Sequence, residues 1–142
     1  MCWKYKSKCL KVPPEGYYGF VYLITNLVSG RIYVGKKAFS YKKKTRLSKR
    51  AKKSTGSTKR IKIESIDSQW LSYFGSSEEL KLDVKTIGEK QFNREILHLC
   101  KSKAQMSYLE AKEQFKREVL EDPNSYNKWI GVKVFKTKYL IE

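Results

Sequence analysis

Acidic residues are nearly missing from the first half of this 142-residue sequence. Positions 1–63 contain 18 lysines and arginines but only one carboxylate, Glu15, whereas positions 64–142 contain 13 basic and 13 acidic residues. The whole net charge of +17 therefore comes from the first part of the chain. Because a field of one sign attracts polyanions, this segregation favours nucleic acid as the partner. An anionic membrane is the weaker alternative, since no basic stretch offers a clean apolar face.

Histidine and cysteine are also scarce. The single histidine, His98, and the three cysteines, Cys2, Cys9 and Cys100, have no spacing typical of a metal site. Such an odd set predicts free thiols in a reducing compartment, so we expect the cytoplasm of a bacterial or phage-infected host cell. No apolar run reaches the ~20 residues of a membrane-spanning helix, and no apolar signal core follows the N-terminus.

The hydrophobic pattern predicts a single α+β domain over 1–142, with a small antiparallel sheet of about three strands flanked by helices. Residues 1–16 are polar and are expected to form a lead-in, and 128–142 a C-terminal strand or tail. Two capping boxes, each a serine followed three positions later by Glu or Gln, mark helix starts. The predicted elements are a hairpin over 18–35, a short helix over 66–74, a helix from Ser76 to about Ile87, a strand over 92–99 and a helix over 103–121.

A basic insert occupies positions 36–62, with 13 lysines and arginines among 27 residues and no acid. Like charges at this density oppose compaction, so we expect a mobile loop or frayed helix until a polyanion binds. A solvated surface loop is the simpler interpretation, and it is compatible with phosphate binding. The residues expected to bind nucleic acid are Lys37, Lys42, Lys43, Lys44, Lys49, Arg50, Lys52, Lys53, Lys59 and Arg60.

Two short runs on the predicted hairpin carry the most specific signal. They read Gly19-Phe20-Val21-Tyr22 and Tyr33-Val34-Gly35-Lys36, and their tyrosines are eleven positions apart. This pair resembles the two motifs of the GIY-YIG nucleases, although the first run is one residue longer than the minimal motif. The similar order of elements covers roughly 18–127. The resemblance implies a GIY-YIG-like sheet with flanking helices and a metal-dependent endonuclease.

Phosphodiester hydrolysis needs a deprotonated nucleophile, charge neutralisation at phosphorus and a protonated leaving group. The resemblance implies that Tyr22 and Tyr33 share the handling of the proton and that Lys36 holds the phosphate or lowers the pKa of a neighbouring tyrosine. The alternative is two tyrosines on half-buried strands, where tyrosine is common, beside one more surface lysine.

The family also carries an arginine on the helix after the second motif, with a His or Tyr one helical turn later. Ten positions after Tyr33 stands Lys43, so the sequence departs from the pattern here. We expect Arg46 to neutralise the scissile phosphate, in preference to Arg50. The accompanying aromatic residue is expected to be Tyr41 or Tyr73.

The resemblance further implies one glutamate on a late helix that holds Mg²⁺ (or Mn²⁺), a cation that keeps much of its water shell. Glu110 and Glu113 are three positions apart, so periodicity does not separate them. Glu110 follows an apolar residue and is preferred, while Glu113 is expected to be solvated and paired with Lys112 or Lys116. Asn127 resembles the family's closing asparagine, which ties a loop to the site or positions phosphate.

The sequence as a whole thus predicts a Mg²⁺-dependent endonuclease that cuts nucleic acid, with DNA favoured over RNA and a dimer possible. Its catalytic residues are expected to be Tyr22, Tyr33, Lys36, Arg46, Glu110 and Asn127. The alternative is a non-catalytic basic nucleic-acid-binding module. A GIY-YIG fold that has lost catalysis is a third possibility, because the arginine is unresolved.

Overall fold

The computed structural model describes residues 2–46, 61–136 and 140. Within them the chain forms a five-stranded sheet, a separate two-stranded sheet and two α-helices. The strands are β1 (Trp3–Tyr5), β2 (Lys8–Leu10), β3 (Gly19–Asn26), β4 (Ile32–Ala38), β5 (Ser40–Arg46), β6 (Ile61–Asp67) and β7 (Phe92–Cys100), and the helices are α1 (Glu78–Ile87) and α2 (Lys103–Lys116).

The larger sheet has the order β2-β1-β7-β3-β4 and is mixed, because β1 runs parallel to β7 while the other pairs are antiparallel. The α+β class is confirmed, but the expectation of an antiparallel sheet of about three strands is wrong. Residues 1–16, expected to be a lead-in, supply the two additional strands. Trp3 anchors them: it is fully buried and its indole Nε1 donates to the carbonyl of Trp70 at 2.7 Å.

The hairpin predicted over 18–35 is confirmed as β3 and β4. Its turn is stabilised by Asn26, whose side-chain oxygen accepts from the backbone N–H groups of Val28 and Ser29 at 2.9 and 3.2 Å. Gly30 closes the turn with φ of +79°, a conformation in which a side chain is strained. The strand β3 lies between β4 and β7, so it is buried at almost every position.

Alternate residues of β3 face two different hydrophobic clusters. Phe20, Tyr22 and Ile24 pack in one cluster with Trp70 and with residues of α1. Val21 on the opposite face packs with residues of α2, including Met106 and Leu109. The sheet is therefore covered by α1 on one face and α2 on the other, and β4 is left at its edge.

The basic insert is more ordered than its charge predicts. Residues of β5 pair with β6 in a two-stranded antiparallel ladder, in which Lys43 lies opposite Glu64. Lys62 forms an ion pair with Glu64 at 2.7 Å. The expectation of a mobile loop or frayed helix is therefore wrong for residues 36–38, 40–46 and 61–62, which lie in strands. Glu64, just beyond the insert, offsets part of its charge. The predicted contacts Lys49, Arg50, Lys52, Lys53, Lys59 and Arg60 lie outside the described residues.

The predicted cap of α2 is confirmed, whereas the start of α1 and the end of α2 differ from the prediction. Ser102 caps α2 as predicted, accepting from the N–H of Gln105 at 3.1 Å, but α2 ends at Lys116 rather than near 121. Ser77 caps α1, one residue later than predicted, and Gly88 ends it as expected. The short helix predicted over 66–74 is reduced to a 3-10 turn over Trp70–Ser72.

Beyond Tyr126 the described chain is irregular, so the tail alternative applies to residues 128–136. No helix in the described ranges is long and apolar enough to cross a membrane.

The cysteines depart from the prediction of free thiols. Cys2 and Cys9 form a disulfide across the β1–β2 hairpin, whereas Cys100 is free and buried. Burial raises the pKa of the Cys100 thiol to about 12, which favours the neutral thiol over the reactive thiolate.

Thiol titration checks this arrangement. The native protein is expected to react negligibly with Ellman's reagent at pH 8, because Cys100 is buried and protonated and the other two cysteines are paired. Denaturation without reductant should expose one thiol, and reduction should expose all three. Rapid modification of the native protein, or three thiols without reductant, would contradict the assignment.

Candidate active site

A pocket of about 290 Å³ opens at the β4 edge of the larger sheet. The two hairpin strands, the start of α1, the exposed side of α2 and the C-terminal segment all contribute to its wall. Its lining residues are Tyr22, Tyr33, Lys36, Ser76, Ser77, Glu110, Gln114, Tyr126, Asn127, Lys128, Trp129 and Gly131.

The two motif tyrosines meet over Gly35. Tyr22 lies directly opposite Gly35 in the β3–β4 ladder, and its ring centroid is 6.1 Å from that of Tyr33. A Cβ atom at Gly35 would lie 2.6 Å from Cζ of Tyr22 and 2.9 Å from Cε1 of Tyr33. Glycine is needed here because any side chain would displace the two rings, which explains the Tyr-x-Gly order physically.

Both tyrosines are held as neutral phenols. Burial, followed by the neighbouring phenols of Tyr73 and Tyr33, raises the pKa of Tyr22 well above its ordinary value. Burial also raises the pKa of Tyr33, although its hydrogen bond with Ser76, at 2.7 Å between the two oxygens, acts in the opposite direction. A neutral phenol both donates and accepts hydrogen bonds, so these groups are suited to orient a water or relay a proton.

Of the two candidates for the additional aromatic residue, Tyr73 contacts a motif tyrosine, although it does not itself line the pocket. Its ring stands edge-on to Tyr22, with centroids 6.0 Å apart, whereas Tyr41 is an exposed residue of β5 and does not line the pocket. The ammonium of Lys37 lies 4.2 Å from the centre of the Tyr73 ring. Lys37 is half-buried, and this burial lowers its pKa.

Arg94 supports this arrangement and was missed by the sequence reasoning. Its guanidinium donates from one nitrogen to the carbonyls of Leu71 and Tyr73, both at 2.9 Å, and stacks between the rings of Trp3 and Phe74. Burial lowers its pKa to about 10. The available signal was an arginine between Phe92 and Ile96 on the apolar, inward-facing side of the strand.

Lys36 and Glu110 approach the pocket from the α2 face. Lys36 lies opposite Val21 in the ladder, and its Nζ donates to Oγ of Ser107 at 2.9 Å and lies 3.8 Å from Oε1 of Glu110. Burial raises the pKa of Glu110, and Lys36 opposes that shift. This pair and the two motif tyrosines line the same pocket.

Glu110 fits a largely hydrated divalent cation. In the described part of the chain no three His, Cys, Asp or Glu side chains cluster in a way that could hold a metal, so a fully protein-ligated site is not formed there. The raised pKa of Glu110 indicates that nearby donors do not fully offset the cost of burying its charge. A cation would offset it, and Mg²⁺ is often held by one or two carboxylates plus water and phosphate.

Glu113 has a different environment from the one expected. It is buried, with one carboxylate oxygen 2.8 Å from Nε2 of His98 and the other 3.4 Å from a guanidinium nitrogen of Arg117. The expected solvated pairing with Lys112 or Lys116 is therefore wrong. Glu110 lines the pocket and Glu113 does not, and His98 serves as a structural partner.

Asn127 completes the edge of β4. Its Oδ1 accepts from the N–H of Val34 at 2.9 Å, and its Nδ2 donates to the carbonyl of Val34 at 2.8 Å. Gln114 donates to the same carbonyl at 3.1 Å. The side chain thus replaces a neighbouring strand and fixes Val34, the residue between Tyr33 and Gly35.

Replacing Asn127 by alanine is expected to lower the free energy of unfolding by about 2–4 kcal/mol, because two buried hydrogen bonds are lost and the Val34 amide is left unpaired. Urea unfolding measures the change. Asn124→Ala is the control, since Asn124 is exposed and contacts β4 through its backbone carbonyl. Equal stability of the two variants would show that the hydrogen bonds from Asn127 to Val34 do not stabilise the fold.

The expected arginine position is not on a helix. The described chain continues from β4 into β5, where Lys42, Lys43 and Lys44 are exposed. Arg46 is the last residue of β5, and its side chain lies outside the description. Among the described residues that line the pocket, the cationic side chains are Lys36 and Lys128.

Comparison with protein families identifies a match that covers most of the chain. The model described as "Putative endonuclease segE, GIY-YIG domain" matches residues 3–134. No curated protein and no solved structure matches the chain significantly. The matched range begins at Trp3 and so includes the two N-terminal strands as well as the paired tyrosine motifs. The chain belongs to the GIY-YIG endonuclease family.

Proposed function

We propose that this protein is a metal-dependent endonuclease that hydrolyses phosphodiester bonds, with DNA favoured over RNA as its substrate. The supporting observation is the single pocket in which Tyr22 and Tyr33 meet Lys36 and Glu110 around Gly35. Two phenols for the proton, one ammonium for the phosphate and one carboxylate for a cation make up most of what such hydrolysis needs.

Glu110 would hold the cation, Mg²⁺ or Mn²⁺, which when bound neutralises phosphate charge and lowers the pKa of a bound water. Tyr33 is partly exposed and is placed to accept a hydrogen bond from the attacking water. Tyr22, which is buried behind it, orients the phenol network together with Tyr73. Since both motif phenols are neutral, they align the nucleophile and pass on its proton rather than act as standing phenolates.

Lys36 would contact a non-bridging oxygen of the scissile phosphate. Its bond to Ser107 fixes the direction of the ammonium, and its proximity to Glu110 favours the ionised carboxylate that a metal requires. Asn127 is a positioning residue, since it holds the strand that carries Tyr33 and Lys36. Arg46 stays a candidate for the second phosphate cation.

The exposed lysines of β5 are proposed to hold flanking phosphates. Such contacts give affinity and salt dependence but carry little sequence information. Lys42 and Lys44 flank Lys43, which lies opposite Glu64 and so has part of its charge offset. The remaining candidates of the insert lie outside the described residues and stay predictions of the sequence.

Replacing Lys42 or Lys44 by glutamine is expected to flatten the plot of log affinity against log salt by about one unit of slope each, because one phosphate contact is lost. Binding of a duplex is measured in EDTA at several salt concentrations. Lys81→Gln is the control, since Lys81 is exposed on α1 and paired with Glu78. Unchanged slopes for both β5 variants would remove this strand from the interface.

The alternative, a non-catalytic basic nucleic-acid-binding module, is favoured by the net charge of +17 and by the departure at the arginine position. Incubation of supercoiled plasmid with Mg²⁺, Mn²⁺ or EDTA separates the two functions. Metal-dependent conversion to nicked or linear forms supports the nuclease, and a parallel RNA substrate tests the preference for DNA. Gel retardation of both nucleic acids without cutting in either metal would support the binding module.

A further inference from the structure

The C-terminal segment 128–136 places an exposed tryptophan at the mouth of the pocket. The segment contains three lysines and no acid. Trp129 lines the pocket together with Lys128, yet its side chain is 74% exposed. An exposed indole contributes little to a hydrophobic core, so packing does not account for its position beside the catalytic groups.

The indole lies against Gly131. A Cβ atom at Gly131 would lie 2.6 Å from Cζ3 and 3.1 Å from Cε3 of the Trp129 ring. The ring therefore rests on a residue that leaves room for it, while most of its surface faces solvent. Contact with Gly131 limits the positions open to the ring, which lowers the entropic cost of ordering it on a ligand.

We propose that Trp129 is a stacking platform for an unpaired base of the strand being cut, next to the scissile phosphate. This inference rests on the proposed nuclease function. Aromatic faces stack on bases irrespective of sequence. Two cations, Lys36 and Lys128, share the pocket with the indole and are suited to neighbouring phosphates, although each also lies 3.8 Å from a carboxylate, Glu110 and Glu79 respectively.

The base must be unpaired because a stacked base pair in a duplex presents its edges, not its faces, to a protein. A single-stranded, bulged or extruded nucleotide exposes a face at a much lower cost of unstacking. The geometry therefore points to substrates in which the cleavage point lies beside such a nucleotide. An apolar protein partner would be a different occupant, but the positive charge of the segment favours nucleic acid.

Intrinsic fluorescence isolates the indole in question. The chain has three tryptophans, and Trp3 and Trp70 are 0% and 1% exposed, so quenching by an added ligand reports on Trp129. The Glu110→Gln variant in EDTA is titrated with an oligothymidylate of about 16 nucleotides and with an all-abasic oligomer of the same length. The two probes have equal phosphate charge and differ in their bases.

We expect quenching by the oligothymidylate and little quenching by the abasic oligomer. A further Trp129→Ala substitution should weaken binding of the oligothymidylate by about 5- to 150-fold, and leave binding of the abasic oligomer nearly unchanged. Phe135→Ala is the matched control, since Phe135 is 72% exposed in the same segment and does not line the pocket. Equal quenching by both probes, or equal losses of affinity, would overturn the proposal.

Two further arms separate this inference from the nuclease function. Gly131→Ala should displace the ring and reproduce part of the Trp129→Ala defect. Protein that retains Glu110 should, in Mg²⁺, cleave a duplex with one unpaired nucleotide faster than a fully paired duplex. Adding Trp129→Ala to this protein should remove that difference. Base-dependent quenching without any cleavage would support stacking while rejecting the nuclease. Cleavage by Trp129→Ala with the preference intact would reject stacking alone.

Discussion

Replacing Glu110 by glutamine is expected to lower the cleavage rate by about 10³-fold or more, while binding of DNA in EDTA persists. Removing the charged ligand forfeits several kcal/mol of charge stabilisation in the transition state. Glutamine has nearly the same shape, so the pocket is retained. Burial already disfavours the ionised form of this carboxylate, as its raised pKa shows, and the variant should therefore be at least as stable as the wild type. Plasmid-nicking kinetics and thermal unfolding measure the two quantities.

Glu113→Gln is the matched control, three positions away on the same helix. Its carboxylate is buried against His98 and Arg117, so its loss should lower the free energy of unfolding by about 1–3 kcal/mol. Its cleavage rate should stay near that of the wild type at temperatures where it is folded. If Glu110→Gln cuts at the wild-type rate in Mg²⁺, Glu110 does not hold the cation.

The hairpin motifs locate the site from sequence because their constraints are local. A tyrosine, a turn of five residues and a second tyrosine fix which side chains share a face once the hairpin forms. At position 35, glycine is then the only residue type that leaves room for the rings of Tyr22 and Tyr33. Which of Glu110 and Glu113 lines the pocket is harder to predict from the sequence, since neighbouring positions on a helix differ only through what packs against them. Glu113 is paired with His98 of β7, a contact that the helix sequence alone does not predict.

The strands β1 and β5 could not be predicted from the sequence because their pairing partners are distant along the chain. The three-residue strand β1 is too short for a periodic pattern, and its parallel pairing with β7 joins positions about ninety apart. The strand β5 contains three consecutive lysines, for which charge alone predicts a loop. Its pairing depends on β6, whose Glu64 lies outside the segment in which the charge was counted.

Asn127 and Arg94 illustrate a similar limit. An asparagine after a Pro-Asn turn predicts only turn chemistry, and its contact with Val34 spans 93 residues. The inward arginine signals a buried guanidinium but not its acceptors, which are backbone carbonyls of a loop. Asn127 lines the pocket and Arg94 lies behind it, and the place of each is defined by tertiary contacts that the local sequence does not encode.

Replacing Tyr33 by phenylalanine is expected to reduce the cleavage rate by about 10²- to 10⁴-fold, the range for loss of a positioned proton-transfer group. The ring and its contact with Tyr22 are retained, so only the hydroxyl is removed. Its bond to Ser76 lies at a partly exposed position, and the free energy of unfolding should fall by no more than about 1 kcal/mol. Single-turnover cleavage in Mg²⁺ separates the chemical step from binding.

Tyrosine-to-phenylalanine changes at the two other candidate positions give a graded comparison. Tyr41→Phe should cut at the wild-type rate because Tyr41 is exposed on β5 and does not line the pocket. The cleavage rate of Tyr73→Phe should fall between those of Tyr33→Phe and Tyr41→Phe, because the Tyr73 hydroxyl acts on the site through Tyr22. If Tyr33→Phe retains the full rate while Tyr73→Phe loses it, the proton passes through the Tyr22–Tyr73 pair and the proposed role of Tyr33 is wrong. Wild-type rates in all three would remove the phenols from the chemistry and leave Lys36 and the metal to activate the water.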